Sequence, residues 1–168
     1  MHGWALAMQD HGEEGMIQVR QGIAAFRATG AAALVSYYYT VLADVADHLG
    51  HTEDGLQALA EAHTLVEQHE DRSWEAEVSR LRGVLLLRQT GTPQAEAETW
   101  LQRALDVARH QEAKSLELRA AMSLSRLWQR QGKKEEARQL LAEIYGWFTE
   151  GFDTKDLQEA KALLEELT

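Results

Sequence analysis

Apolar and small residues recur along this chain at helical spacing, in groups separated by loop glycines. In the clearest group, Leu81 and Gly83 precede Gly91, and Ala97, Leu101 and Ala104 follow it at the i, i+4, i+7 spacing of one helix face. Matching groups stand about 40 residues to either side: Leu42, Ala43, Gly50, Gly55, Leu59 and Ala62, and then Leu124, Ser125, Gly132, Ala137, Leu141 and Ile144. A weaker copy has Gly15, Val19 and Gly22. Self-similarity at one period predicts an array of helical repeats.

The same pattern sets the expected element boundaries. No segment alternates with period two, so we predict an all-α chain with helices over 3–10, 13–29, 31–49, 52 to about 70, 73–91, 93 to about 111, 115–131, 134 to about 149 and 156–167. Gly30, Gly50 and Gly132 are predicted stops. Thr52, Ser73 and Ser115 are predicted N-caps, and Thr154 or Asp153 is predicted to cap the last helix.

Together these helices make residues 1–168 a single repeat domain. The predicted repeats cover 1–30 (partial), 31–71, 73–111 and 114–150, and a capping helix at 154–168 presents a polar outer face, as the end of such an array requires. The first predicted helix has no N-cap and no preceding partner. We therefore expect the chain to be a piece of a longer repeat protein.

Small residues mark where paired helices should cross. Ala43, Gly83 and Ser125 take this position in successive first helices, and Gly55, Ala97 and Ala137 take it in the second helices. Glycine inside a helix costs about 1 kcal/mol relative to alanine. Gly83 therefore predicts a crossing too tight for a methyl group, with tolerated sequence drift as the alternative.

Composition narrows the classes of function. The 45% apolar content is normal for a chain that buries a core, and the absence of cysteine excludes disulfides and thiolate metal sites. A net charge of −10 argues against nucleic acid or an anionic membrane as the main partner. No apolar run approaches the ~20 residues of a membrane span, and no signal peptide is recognisable. We expect a cytoplasmic protein.

Two of these groups resemble the tetratricopeptide repeat. The residues that carry the resemblance are Tyr39, Leu42, Ala43, Gly50, Gly55, Leu59 and Ala62, and then Leu124, Ser125, Trp128, Gly132, Ala137, Leu141 and Ile144. The period is longer than the usual 34 residues, and the usual terminal proline is absent. This long form is similar to the C-terminal arrays of large bacterial signalling ATPases and transcription activators, some with a nucleotide cyclase domain. The resemblance implies a right-handed superhelical solenoid of antiparallel helix pairs.

The chain lacks recognisable catalytic motifs. It has no phosphate-binding glycine loop, no Gly-x-Ser-x-Gly and no cysteine nucleophile, so we predict no enzyme activity and no cofactor. His48, His51 and His63 are expected to be surface or turn residues rather than metal ligands. The carboxylate pairs Glu13/Glu14, Glu135/Glu136 and Glu165/Glu166 are expected to be solvated, with nothing marking a buried acid. Most of the tryptophans are expected in the core, with Trp147 the candidate for an exposed apolar patch.

The resemblance also places a binding surface, because the first helix of each tetratricopeptide repeat lines the concave groove. The predicted groove residues are Tyr37, Thr40, Asp44, Arg80, Arg88, Arg119, Met122, Arg126, Gln129 and Arg130. Arginines in such a groove would favour carboxylates or acidic peptide segments. In the alternative, the arginines pair with neighbouring glutamates such as Glu77 and Glu117.

The sequence leaves three functional hypotheses open. In the first, the chain is a scaffold or sensor arm of a signalling protein and binds a partner protein or peptide in the groove. The arginines would favour an acidic partner. The second is sensing of a small-molecule effector held within the superhelix. The third is self-association through the N-terminal end, over residues 3–30.

Overall fold

The computed structural model describes residues 2–9, 11–30, 34–69 and 72–168, and every regular element in these ranges is an α-helix. The helices in chain order are α1 (His2–Ala7), α2 (Gly12–Ala28), α3 (Val35–Leu49), α4 (Thr52–His69), α5 (Glu75–Leu86), α6 (Gln94–His110), α7 (Lys114–Arg130), α8 (Lys134–Tyr145) and α9 (Lys155–Glu166). The predicted all-α class is confirmed for the described part of the chain.

The helices form two layers. Each helix contacts the next one along the chain, and the odd-numbered helices also contact each other in sequence, α1 with α3, α3 with α5, α5 with α7 and α7 with α9. Across the described ranges, no such contact joins one even-numbered helix to another. We call α1, α3, α5, α7 and α9 the inner layer, and α2, α4, α6 and α8 the outer layer.

The buried apolar side chains form two clusters that meet at α5. One cluster draws on α1 to α5 and the other on α6 to α9. Leu81 and Leu85 of α5 belong to the first cluster, whereas Val84 and Leu87, which follows α5, pack against the second. This central helix therefore joins the two halves of the core.

Small residues permit the helix crossings, as the sequence predicts. A Cβ atom on Gly83 would lie 2.7 Å from Leu101 Cγ and 3.0 Å from the Ala97 carbonyl oxygen. The prediction of a crossing too tight for a methyl group is therefore confirmed. At the equivalent crossing of α7 and α8, the buried Ser125 hydroxyl donates a hydrogen bond to the Ala137 carbonyl, at 3.1 Å.

The first crossing is as close. A Cβ on Gly3 would lie 2.8 Å from the Gly15 carbonyl oxygen, so α1 and α2 pack almost backbone to backbone. Gly3 precedes Ala43 by 40 residues, and Gly15 precedes Gly55 by the same interval. The short α1 thus occupies the place of a first helix.

The turns between helices are set by the ends of the preceding helices. Gly50 and Gly132 adopt φ values of 76° and 81°, in the left-handed region that favours glycine. The residue after each glycine donates a backbone hydrogen bond five residues back, His51 to Ala46 and Lys133 to Trp128. This is the pattern of a Schellman motif, and it confirms the predicted stops at Gly50 and Gly132.

Several predicted boundaries are wrong. Thr52 is the first residue of α4, the N-cap of α5 is Trp74 rather than Ser73, and Ser115 lies inside α7, whose N-cap is Ala113. Backbone bonds of the preceding turn already fix these helix starts, as when Ala113 N–H donates to the Ala108 carbonyl. No N-cap side chain makes a capping hydrogen bond in α2, α3 or α5 to α9.

Two helices also end early. Helix α5 ends at Leu86, before the expected stop at Gly91, and α8 ends at Tyr145 rather than near Thr149. Gly146 explains the second difference, because glycine weakens a helix. The N–H groups of Trp147 and Phe148 then donate to carbonyls three residues back, at Ile144 and Tyr145, instead of continuing the α-helical pattern. The predicted helix ends at Asp10 and Glu70, and the predicted start at Ala31, lie outside the described residues.

Candidate binding groove

A cavity of about 680 Å³ opens along the inner layer. Residues of all five inner-layer helices and their caps line it, and we call it the inner groove: Trp4, Tyr37, Thr40, Val41, Asp44, Trp74, Glu77, Arg80, Leu81, Arg119, Met122, Ser123, Arg126, Thr154, Lys155, Asp156 and Glu159.

The structure brings most of the predicted groove residues together. Seven of them line the inner groove: Tyr37, Thr40, Asp44, Arg80, Arg119, Met122 and Arg126. Arg88, Gln129 and Arg130 do not, which corrects the prediction for these three residues.

The three exceptions have positional reasons. Arg88 follows the end of α5, and its guanidinium instead binds Asp47 of α3, at 2.9 Å from the carboxylate and 3.2 Å from the carbonyl oxygen. Gln129 and Arg130 are the last two residues of α7, about one turn beyond Arg126. The inner groove ends before this turn.

A buried ion pair stands at the centre of the inner groove. Arg80 donates two hydrogen bonds to Glu77, at 2.8 and 2.9 Å, and a third to the Ser123 hydroxyl of α7, at 3.3 Å. Burial acts to raise the pKa of Glu77, but the charge and hydrogen bonds of Arg80, with the charge of Arg119, lower it overall. Glu77 is therefore held as a carboxylate, unsuited to donate a proton at neutral pH.

The other groove arginines pair with the last helix. Arg119 Nε donates to Asp156 at 2.6 Å, and Arg126 lies 3.3 Å from Glu159. Internal pairing, the alternative that the sequence left open, therefore describes Arg80, Arg119 and Arg126. The predicted partner Glu117 is not one of their partners, since it binds Arg109 and Lys114.

Aromatic side chains line the other end of the inner groove. Tyr37 and Trp74 lie with their ring centroids 4.5 Å apart. Trp4 is 38% exposed and donates its indole N–H to Asp44 at 2.8 Å. The expectation that tryptophans mainly fill the core is therefore wrong for Trp4 and Trp74.

Sequence reasoning missed several lining residues that the repeat period could have identified. Glu77 follows Tyr37 by 40 residues, the interval that relates Thr40 to Arg80, and Trp4 precedes Asp44 by the same interval. Glu159 follows Arg119 by the same interval, whereas the residue 40 positions before Asp156 does not line the groove.

Buried acids were also missed. Glu75, Glu77 and Glu117 are 7%, 7% and 3% exposed, although nothing in the sequence marked a buried carboxyl. Arg103 binds Glu75, and burial of Glu117 is outweighed by hydrogen bonds from Lys114 and Arg109 that lower its pKa. The named pairs, such as Glu135 and Glu136, are exposed as expected.

Outside the inner groove, the described residues offer little that suggests a catalytic or metal-binding site. Burial raises the pKa of Asp47 despite the charge of Arg88, but Asp47 does not line the inner groove. His51 lies 3.3 Å from Glu13, and His63 lies 3.4 Å from Glu67. No group of three or more histidine and acidic side chains in the described ranges is placed to hold a metal ion.

An exposed aromatic patch follows α8. Trp147 is 59% exposed, with Phe148 packed edge-on at 5.2 Å between ring centroids and the Lys114 ammonium 5.6 Å from its ring. The predicted exposure of Trp147 is confirmed.

Comparison with known proteins gives no indication of function, so function is inferred from the inner groove. No protein-family model matches the chain, and no curated protein is similar to it. None of the described helices combines the length and the apolar character needed to cross a membrane.

Proposed function

We propose that the chain is a protein-interaction module of a cytoplasmic bacterial signalling or regulatory protein, and that it binds a peptide or a segment of a partner protein in the inner groove. In this proposal the helix pairs are tetratricopeptide-like repeats wound into a right-handed superhelix. Contacts within the inner layer, and their absence in the described outer layer, support the curvature that such a superhelix requires.

The observation that carries the proposal is the extent of the inner groove. Its lining comes from five helices that belong to successive pairs, so an occupant would contact side chains far apart in the sequence. Neighbouring packed helices stand about 8–10 Å apart. An extended peptide suits a surface of this length better than a compact molecule does.

The groove side chains are also held in place before any partner binds. Ion pairs fix Arg80, Arg119 and Arg126, and the Tyr37 and Trp74 rings pack on each other. Ordering flexible side chains costs about 0.5–1.5 kcal/mol each on association, and a preorganised surface avoids part of this cost. Aromatic and arginine side chains are the residues that most often anchor protein interfaces.

Selection of peptides tests the proposal directly. A random peptide library is panned on the immobilised chain, and the affinities of selected peptides are measured for wild type, for Trp74→Ala/Arg119→Ala and for Arg138→Ala, which lies on α8 outside the groove. We expect the double variant to lose at least about tenfold in affinity, since both anchors are removed. The control should bind as wild type does, and circular dichroism should show equal helix content in all three.

Two results would count against peptide binding in the groove. One is a selection that yields no binding peptide, and the other is peptides that bind the double variant as well as wild type.

A small-molecule effector is the second candidate. The groove volume of about 680 Å³ falls within the range of ligand pockets, about 300–1,000 Å³. The lining includes polar groups, such as the Asp44 carboxylate, that would orient a ligand. A metabolite screen by thermal shift, repeated with Trp74→Ala/Arg119→Ala, separates the two candidates, because an effector should raise the midpoint of wild type only.

A further inference from the structure

The carboxylates of the inner groove differ in their partners. Glu77 is bound by Arg80, Asp156 by Arg119, and Glu159 by Arg126 at 3.3 Å and Lys155 at 3.7 Å. Asp44 is the exception. Among the described residues, no lysine or arginine nitrogen lies within 4 Å of Asp44, and the neutral indole N–H of Trp4 donates a hydrogen bond to its carboxylate.

Arg80 is a candidate to neutralise Asp44, because the charge of Asp44 acts on it, but its guanidinium is directed at other partners. Its N–H groups bind both oxygens of Glu77 and the Ser123 hydroxyl. Burial acts to lower the pKa of Arg80, and Glu77 raises it overall, with a smaller contribution from the charge of Asp44. Asp44 therefore acts on Arg80 at longer range than a direct ion pair.

The groove charges are consequently uneven along its length. Asp44 leaves an excess negative charge at the end formed by α1 and α3, while Glu77 and Arg80 cancel in the middle. At the end formed by α7 and α9, the cations Arg119, Arg126 and Lys155 exceed Asp156 and Glu159 by one. An occupant with the opposite order of charges would be favoured in one direction only.

We propose that Asp44 and the indole ring of Trp4 form a subsite for a lysine or arginine side chain of the bound segment. This inference rests on the proposed peptide-binding function. The carboxylate supplies a charge-assisted hydrogen bond, and the exposed indole ring supplies a surface that attracts a cation. The half-exposed position of Trp4 leaves this ring accessible to an incoming side chain.

The subsite also gives the bound segment a direction. Its cationic residue lies at α3, and an acidic residue lies toward Arg126 and Lys155. Two helix spacings separate α3 from α7, or about 18 Å. An extended peptide rises about 3.3 Å per residue, so the two charges should stand about five or six residues apart.

The experiment compares peptide selection on three chains: wild type, Asp44→Asn and Asp106→Asn. Asparagine keeps an oxygen that can accept the Trp4 hydrogen bond, so only the charge is removed. Asp106 is an exposed acid of α6, outside the inner groove, and provides the matched control. We expect lysine or arginine to be enriched at one fixed position in peptides selected on wild type and on Asp106→Asn, and not in those selected on Asp44→Asn.

A double-mutant cycle then assigns the contact. For one selected peptide, Asp44→Asn should weaken binding about tenfold, and replacing the peptide lysine by methionine should weaken wild-type binding equally. The two changes together should cost no more than either alone. Reversing the order of charges in the peptide should weaken binding to wild type by a similar factor.

The outcomes separate this inference from the function on which it rests. Peptides that depend on Trp74 and Arg119 but show no preference for lysine or arginine, or bind Asp44→Asn unchanged, overturn the cation subsite alone. A selection without groove-dependent peptides overturns the peptide-binding function, and the subsite with it.

Discussion

Two glutamate–arginine pairs in this molecule have the same chemistry and nearly the same geometry. Glu77 and Arg80 of α5, and Glu135 and Arg138 of α8, are each three residues apart on one helix. Arg80 donates from Nε and Nη2 to Glu77 at 2.9 and 2.8 Å, and Arg138 donates from the same atoms to Glu135 at 3.1 and 2.7 Å.

The surroundings of the two pairs differ. The side chains of Glu77 and Arg80 are 9% and 17% exposed, whereas those of Glu135 and Arg138 are 70% and 44% exposed. Water solvates the outer pair whether or not it forms, so its formation adds little to stability. The inner pair has lost most of its water, and each member depends on the other. Contact geometry alone therefore does not indicate what an ion pair contributes.

Removing one arginine from each pair gives the largest expected difference. Arg80→Met leaves the buried Glu77 with only Arg119, at 3.7 Å, and should lower the free energy of unfolding by about 3 kcal/mol. Arg138→Met should cause no measurable change. Urea denaturation followed by circular dichroism measures both, and equal losses in the two variants would contradict the comparison.

The pH dependence of the glutamates sharpens the same comparison. Because the folded pKa of Glu77 lies below its usual value of 4.5, its charge stabilises the fold above that pH, and the contribution disappears as the pH falls through the folded pKa. Glu77→Gln should therefore lower the free energy of unfolding by about 2 kcal/mol at pH 7, and by progressively less below pH 4.5. Glu135→Gln serves as control and should follow wild type throughout. A deficit for Glu77→Gln that stays constant down to pH 3 would show that its charge is not involved.

A third comparison places one substitution in two environments and predicts opposite signs. Gly83→Ala introduces a Cβ 2.7 Å from Leu101 Cγ, and this overpacking should outweigh the gain in helix propensity and lower stability by about 1 kcal/mol. Gly22→Ala on α2 has open space around its Cβ and should raise stability by about 1 kcal/mol. Thermal unfolding resolves both shifts. Stabilisation by Gly83→Ala would mean that Leu101 adapts without cost.

Much of the helical pattern could be predicted from the sequence because it depends on local spacing. Gly50 adopts a positive φ and Gly83 lies at a close helix crossing. Both requirements favour glycine, so these positions could be recognised from residue type and spacing alone. The N-caps were predicted less well. A serine such as Ser115 satisfies the capping rule by residue type, but the backbone bonds of the preceding turn fix where α7 begins.

The groove was predictable to the extent that it follows the repeat period. The repeat register alone gave Arg80 the position equivalent to Thr40 in the next repeat. The same 40-residue step from Tyr37 would have added Glu77. It could not reveal that Arg119 and Arg126 meet α9, because that contact depends on how the last helix packs across α7. Whether an arginine is free or paired is a tertiary property.

The layered arrangement has a consequence for how the chain folds. Within the described ranges each helix contacts only its neighbours one or two places along the chain, so these helix contacts join segments that are close in sequence. Chains of such low contact order close short loops early and fold rapidly, without waiting for their distant ends to meet. Helix α5 packs against both apolar clusters and so couples the two halves of the core.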